Sequence, residues 1–218
     1  TGFAQMLNKP GLSAGQKNKY IEIINTSSKQ LLSIVNDIIS MSAIEAGQEK
    51  VKYSPVGLNQ LIHELFALFY PQASIKKIKL QTEVSPDDDK AIAMTDETKL
   101  KQVMTNLIGN ALKFTEKGYV KFGYTQKEDT IRFFVEDSGI GIHAKYHKLI
   151  FERFRQADIS PERKYGGTGL GLSISQAYIE LLGSHIQMES EPGKGTIFWF
   201  ELAFQQKEPA PIAKKQNP

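Results

Sequence analysis

The chain contains no cysteine, so it has no disulfide framework, no thiolate metal site and no cysteine nucleophile, a composition consistent with a reducing compartment. It also lacks a long apolar run. The longest, Leu65-Phe-Ala-Leu-Phe-Tyr70, is far short of the ~20 residues that a membrane-spanning helix needs, and no signal-peptide pattern precedes it. A soluble piece without direct membrane contact is the expectation. Charge of one sign is not in excess either: the 218 residues carry a net +3. Lys76, Lys77 and Lys79 form a small basic cluster that a solvated helix end explains more simply than a nucleic-acid footprint, so no nucleic-acid partner is expected. There is no internal repeat. The chain opens at Thr1 without methionine and in mid-pattern, so we read it as a piece of something longer.

What is present centres on Asn106-Leu-Ile-Gly-Asn110-Ala-Leu-Lys113-Phe114, the end of a helical pattern that begins after Thr95-Asp96-Glu97. Asparagine has poor propensity in a helix interior because its side chain competes for backbone hydrogen bonds. Positions i, i+4 and i+7 share one stripe, so Asn106, Asn110 and Lys113 would present two carboxamides and an ammonium along one line. Leu100, Val103, Leu107, Ala111 and Phe114 fall on the adjacent face as a core stripe. A carboxamide oxygen suits a hard cation such as Mg²⁺, which keeps several waters and borrows other ligands from phosphates, and a lysine beside it reads as a phosphate contact. A surface helix with two solvated asparagines would carry the same letters.

Before this helix, Gln16 to Ala46 is a long helical pattern with Ile21, Ile24, Ser28, Leu31, Val35, Ile38 and Ser42 at spacings of three and four, widened by Leu32, Ile34 and Ile39. One helix cannot bury so wide a stripe, so partner helices are required. Thr1 to Leu7 reads as the end of one partner, with Asn8-Lys-Pro-Gly11 as the loop between. Gly47 ends the long helix and makes Gly47 to Ser54 a domain boundary, dividing the chain into 1–47, 48–204 and a Lys-, Gln- and Pro-rich tail or linker over 205–218. The second part mixes periods: a helix over Leu58–Ile75 entered after Ser54-Pro55, strands at Ile78–Val84 and Ala91–Thr95, a hairpin of Tyr119–Gln126 with Thr130–Glu136, a helix over Ser173–Leu182, and strands at His185–Ser190 and Gly195–Phe204.

Two glycine-bearing segments are site-like. Ile131, Phe133 and Val135 alternate along a strand and place Asp137 on the same side just as Ser138-Gly139-Ile-Gly141 begins, and such glycines let the backbone turn tightly or approach a ligand. Any β-turn can hold Asp and Gly, but if the ligand is a purine, an ionised Asp only accepts hydrogen bonds and so favours adenine's amino group over guanine's oxo group. Tyr165-Gly-Gly-Thr-Gly169-Leu-Gly171-Leu172 runs directly into a helix, whose N-terminal amides and dipole suit a phosphate; an unliganded hinge would look the same. The dinucleotide fingerprint and the P-loop both lack their required context here. Between the two, His143 to Lys164 reads as a lid or a disordered connection.

In this order Asn106 with Asn110, Asp137-x-Gly139-x-Gly141, Phe151-Glu-Arg-Phe154 and Gly167-Thr-Gly169-Leu-Gly171 resemble the N box, first glycine box, F box and second glycine box of sensor histidine kinases, and Gly193-Lys-Gly195-Thr196 resembles their closing turn. The resemblance covers nearly the whole chain; Leu31 to Gly47 looks like the second helix of the family's dimerisation and phosphotransfer hairpin. It implies an α+β fold: a two-layer α/β sandwich ATP-binding domain of the gyrase, chaperone and histidine-kinase type, preceded by a hairpin that pairs with a second copy into a four-helix bundle. Position by position it implies that Asn110 binds Mg²⁺, that Asn106 and Lys113 contact phosphates and take part in catalysis, and that Phe114 lies against the adenine of ATP. Asp137 would read the adenine, while Gly139, Gly141 and Ile142 line the pocket. Gly167, Thr168, Gly169, Leu170 and Gly171 would form the phosphate-side turn, and Arg153, Arg155, Gln156 and Arg163 are lid candidates for the γ-phosphate.

The family's phosphoacceptor histidine box is not found around His63, His143, His147 or His185, so the chain is expected to bind ATP without phosphorylating itself. The implied reaction moves the γ-phosphoryl to a histidine and on to an aspartate of a response-regulator receiver domain, in the cytoplasmic portion of a membrane-anchored sensor. The look of Gln156-Ala-Asp and Arg163-Lys-Tyr165 leans toward the hybrid subgroup. Two other readings remain: an ATP hydrolase of the gyrase or chaperone kind, which would need a glutamate where Asn106 stands, and a non-catalytic dimeric scaffold.

Overall fold

The structure is a computed structural model that describes residues 2–7, 11–86, 91–127, 129–154 and 169–203. It divides into two compact units, Thr1–Glu49 and Lys50–Pro218. In the first, α1 (Gly2–Met6) packs on α2 (Ala14–Glu45), with the Phe3 and Tyr20 ring centroids 5.8 Å apart. Ser13 and Gln16 cap the start of α2 reciprocally: Ser13 Oγ accepts the Gln16 N–H at 3.2 Å and Gln16 Oε1 accepts the Ser13 N–H at 3.0 Å. That cap sets the start two residues ahead of the expected Gln16. Ile21, Leu31, Leu32, Val35, Ile38 and Ile39 are all exposed, Leu31 and Leu32 at 62 %. The five residues of α1 are too few to cover such a stripe.

The second unit is a sheet covered on one face by helices. β2 (Lys79–Glu83), β4 (Tyr119–Lys127), β5 (Thr130–Asp137), β7 (Gly195–Ala203) and β6 (Gln187–Glu191) lie in the order β2-β4-β5-β7-β6, parallel between β2 and β4 and antiparallel elsewhere. Alternation selects the buried face: Val120, Phe122 and Tyr124, then Ile131, Phe133 and Val135, then Phe198, Phe200 and Leu202. Phe133 stacks on Phe200 at 5.3 Å. Against this face lie the apolar sides of α3 (Leu58–Lys76), α4 (Glu97–Phe114) and α5 (Gly171–Leu181), including Leu61, Leu65, Leu100, Met104, Leu107, Ile108, Ile174 and Ile179. The parallel β2–β4 pair requires a crossover, and α4 supplies it.

A second, two-stranded sheet pairs β1 (Ser54–Gly57) with β3 (Ile92–Thr95) antiparallel, Ser54 opposite Thr95 and Val56 opposite Ala93. The sequence places Ser54 in the boundary segment and at a helix entrance, not in a strand. Four residues that include Pro and Gly carry no legible period, and their partner is far away in sequence. Proline is tolerated because a two-stranded ribbon leaves its nitrogen side unpaired. Within the described part of the expected lid or disordered connection over His143–Lys164, 3-10 turns form at Ala144–Tyr146 and Leu149–Phe151. The tail over 205–218 lies outside the described residues.

A buried ion pair joins the start of this unit to α4. Asp96 caps α4, its Oδ1 accepting the Lys99 N–H at 3.1 Å, while its Oδ2 accepts the Lys52 N–H at 2.9 Å and pairs with Lys99 Nζ at 3.2 Å. Lys99 Nζ also donates to the Lys50 carbonyl at 2.9 Å and stands 5.5 Å over the Tyr178 ring of α5. Both charged side chains are nearly dry, at 7 % and 5 % exposure. Burial pushes the Asp96 carboxyl up, but the three donors together outweigh it and hold it below the ordinary aspartate value. Asp96→Ala is expected to lower unfolding free energy by about 3–5 kcal/mol in urea denaturation, since it strands a buried ammonium. Because the folded pKa is depressed, the wild-type advantage should be complete above about pH 4 and shrink as pH falls further.

Candidate functional site

The site is built on the second half of α4. Leu100, Val103, Met104, Leu107, Ile108, Ala111 and Leu112 are buried, leaving Asn106, Asn110 and Lys113 half-buried at the edge of the helix. The C-terminal turn is held from outside by Lys76, whose Nζ donates to the Leu112 carbonyl at 2.7 Å. Among the described residues no hydrogen bond engages the Asn110 carboxamide, and Lys113 has no ion pair. Burial pushes the Lys113 ammonium below its ordinary value, and Nζ stands over the Phe114 ring at 4.9 Å. A half-buried cation with no counter-charge is suited to an anionic ligand.

Phe114 departs from the expected core stripe: it is half-buried because α4 ends there. Its carbonyl accepts the Ile140 N–H at 3.3 Å, which brings the first glycine segment onto the end of α4. Asp137 closes β5 at only 8 % exposure, with its Oδ1 accepting the Gly139 N–H at 2.8 Å and a further hydrogen bond from the Thr196 backbone. Burial is the largest influence on this carboxyl; the two backbone donors oppose it, Glu136 adds to it, and the net effect raises the pKa to about 6. It is therefore mostly ionised at neutral pH and close to its switching point. Gly141 sits at φ +67°, with the Glu191 carbonyl where a Cβ would be, so no other residue fits there. The Ile142 N–H donates to Ser190 Oγ at 2.7 Å, and that hydroxyl lies 2.8 Å from Thr196 Oγ1. The closing turn at Gly193–Thr196 thus forms one wall beside Asp137. The sequence pattern marked this turn as a motif but did not place Thr196 in the site; its register opposite Asp137 is a pairing across two strands that no local pattern reports.

The second glycine segment is described only from Gly169 on. Gly167, Thr168, Arg155, Gln156 and Arg163 lie outside the described residues. Gly169 accepts the Phe154 N–H at 3.1 Å, Arg153 is exposed beside it, and Leu170 is buried. α5 starts at Gly171, two residues before the expected Ser173, and its N-cap residue Leu170 makes no side-chain cap hydrogen bond. Gly171 is therefore helical rather than part of a loop, and what it provides is room: a Cβ there would stand 2.9 Å from Asn106 Cγ and Nδ2 and closer still to Oδ1. Asn106 does not line up freely with Asn110 and Lys113. It turns to α5, donating from Nδ2 to Ser175 Oγ at 2.8 Å. Two clusters result, Phe114–Gly139–Asp137–Gly141 and Asn106–Gly171, separated by about 12 Å along α4 with Asn110 and Lys113 between them.

An α/β sandwich with a buried carboxylate at the end of one helix and the N-terminus of another helix beside the middle of the first has the arrangement of a nucleotide-binding domain. Residues 95–206 match the family model for the histidine kinase-, DNA gyrase B- and HSP90-like ATPase. The sensory/regulatory protein RpfC of Xanthomonas campestris pv. campestris is 36 % identical over 215 residues, which is 96 % of this chain and 29 % of RpfC. The chain thus spans less than a third of that relative. Among solved structures, full-length ShkA in complex with AMPPNP aligns with 32 % identity and a TM-score of 0.77, over 94 % of this chain and 42 % of ShkA. The catalytic domain of histidine kinase ThkA aligns with 30 % identity and a TM-score of 0.60, over 70 % of this chain and 98 % of that domain. ThkA in complex with the response regulator protein TrrA aligns with 26 % identity and a TM-score of 0.68, over 94 % of this chain and 56 % of ThkA. The chain belongs to this ATPase family, as the ATP-binding catalytic domain of a sensor histidine kinase.

The close approach of Gly171 to Asn106 gives a sharp stability test. Gly171→Ala should cost about 1–3 kcal/mol by overpacking. In an Asn106→Ala background, which removes the three nearest atoms to the new methyl, the same change should be neutral or stabilising by about 0.4–1 kcal/mol. Thermal melts of the four proteins measure both.

Proposed function

We propose that the chain binds Mg²⁺-ATP across the second half of α4 and supplies the catalytic part of a phosphotransferase that moves the γ-phosphoryl to a histidine. The observation that carries this is Asp137: a carboxylate kept almost dry, held by backbone donors at the foot of a glycine loop that rests on the end of α4. An adenine amino group would complete its hydrogen bonding, since an ionised carboxylate only accepts. Lys113 and the open first turn of α5 supply positive charge for the phosphates. Among the described residues no three His, Asp or Glu side chains gather into a metal site, so Asn110 would be a protein donor to Mg²⁺, with phosphates and waters as the rest. When bound, the metal neutralises phosphate charge and fixes the direction of the triphosphate.

The chain's own groups then position and neutralise rather than take part covalently. Asn106 cannot act as a base toward water, and its carboxamide is already engaged by Ser175, so hydrolysis should be slow and the gyrase-type reading is disfavoured. His63, His143 and His185 are exposed and lack the acceptor box, and His147 is engaged through Nε2 with the Ile142 carbonyl at 3.0 Å. The acceptor histidine would therefore lie outside these residues, and the chain alone should not become phosphorylated. The exposed stripe of α2 fits a second copy, making a bundle of paired hairpins, with domains at 1–47 and 48–204. Since ThkA is seen with a response regulator, a receiver domain is the proposed recipient of the phosphoryl group. Among the described residues no helix is long and apolar enough to cross a membrane; a cytoplasmic location for this part of a longer sensor is proposed from the family alone.

Calorimetric titration with a non-hydrolysable ATP analogue should show Mg²⁺-dependent binding that loses its metal dependence in Asn110→Ala; a well-folded chain that does not bind would overturn the proposal. Loss of the charge-assisted contact in Asp137→Asn should weaken binding by roughly 10- to 150-fold. Ligand contact favours the ionised carboxylate, so wild-type affinity should fall as pH drops below about 6, by up to about tenfold per pH unit, and Asp137→Asn should lack that component. In the unliganded protein the sign is opposite: the raised pKa favours the protonated fold, a contribution present at low pH and lost as pH rises through about 6. Leu31→Asp with Val35→Asp should convert a dimer to a monomer in sedimentation equilibrium without altering nucleotide affinity.

A further inference from the structure

Ser175 lies inside α5, where serine is poorer than alanine and commonly bonds back to a carbonyl one turn earlier, as Ser42 does to Ile38 at 2.9 Å. It is 2 % exposed, and its Oγ accepts a hydrogen bond from Asn106 Nδ2 on the neighbouring helix at 2.8 Å. Gly171 stands four residues before Ser175, so the two share one face of α5. The same Asn106 carboxamide faces both, filling the space a Gly171 Cβ would need and tethered at Ser175. Nδ2 gives one of its two N–H groups to Ser175 and keeps the second for a phosphate oxygen, while Oδ1 stays beside Gly171, in the first turn of a helix whose N-cap residue Leu170 makes no side-chain cap hydrogen bond.

We propose that Ser175 is a positioning residue for the phosphate end of the nucleotide: it fixes the Asn106 carboxamide in one orientation and ties the lid-side helix α5 to the helix that carries Asn110 and Lys113. This rests on the reading of Asn106 as a phosphate contact. Ser175 itself touches no ligand, so its effect must run through Asn106 and must concern the phosphates and not the base. Replacing a buried serine by alanine in a helix does not threaten folding, which keeps the test clean.

The experiment compares Mg²⁺-AMPPNP and adenosine as calorimetric ligands for the wild type, Ser175→Ala, Asn106→Ala and the double variant. Ser175→Ala should weaken Mg²⁺-AMPPNP by about five- to tenfold, the worth of one buried hydrogen bond, and leave adenosine unchanged. In the Asn106→Ala background it should change neither ligand's affinity. In the unliganded protein, the Asn106 side-chain amide protons should exchange with water about five- to tenfold faster in Ser175→Ala than in the wild type, by NMR. Wild-type affinity for both ligands in Ser175→Ala, an equal loss for adenosine, additive effects in the double variant, or unchanged amide exchange would each overturn the assignment while leaving the nucleotide site intact. A wild type that binds neither ligand would instead overturn the nucleotide reading, and this assignment with it.

Discussion

Everything in the site depends on keeping one carboxylate nearly dry. Asp137 ends a strand whose preceding alternate residues are core, so it arrives on the buried face with no side-chain cation beside it among the described residues. The Gly139 and Thr196 amides offset part of the desolvation, and they are available only because the chain turns tightly twice, at the glycine loop and at the closing turn. The result is an acid poised near pH 6 with unmet capacity to accept a hydrogen bond. A fold that merely buried the position would place an apolar side chain there.

The second constraint is that one helix serves both ends of the ligand. The last residue of α4 receives the glycine loop through its carbonyl, and the middle of α4 receives α5 through Asn106. Of the side chains between them, among the described residues Asn110 makes no hydrogen bond and Lys113 no ion pair. Rigidity of α4 therefore sets the separation between base and phosphates, and its two ends are secured independently: Asp96 and Lys99 at the start, and Lys76 at the finish. The Asp96–Lys99 pair also takes hold of the backbone at Lys50 and Lys52, so the segment entering the catalytic unit is fastened to the same helix that carries the site.

Local patterns made much of this legible in the sequence. The 3.6-residue period of α4, the alternation of β5 and the glycines after Asp137 are all signals within a dozen residues, and the elements they imply are present. What escaped was pairing at a distance. β1 is too short to show a period, and it exists because β3 lies alongside. Lys99 looks like a solvated helix residue until the Lys50 carbonyl is placed over it. The stripe of Asn106, Asn110 and Lys113 was correct in helical phase, yet phase alone does not say which neighbour a side chain meets, and α5 claims the first of the three. The sequence puts Gly171 in a phosphate-side turn; in the structure it is the first residue of α5 and provides clearance for Asn106, a distinction visible only once Asn106 is seen against it.

The central claim is that Asp137 recognises adenine by accepting from its amino group. The most direct measurement is the ratio of affinities for ATP and for inosine triphosphate, which replaces that amino group by an oxo group. It should be made at neutral pH, where Asp137 is mostly ionised, in the wild type and in Asp137→Asn. The wild type should prefer ATP by at least about tenfold, the worth of a charge-assisted hydrogen bond. In Asp137→Asn, whose carboxamide can donate to the oxo group, the preference should collapse or invert. Equal affinities in the wild type, or a preference unchanged in Asp137→Asn, would contradict the account.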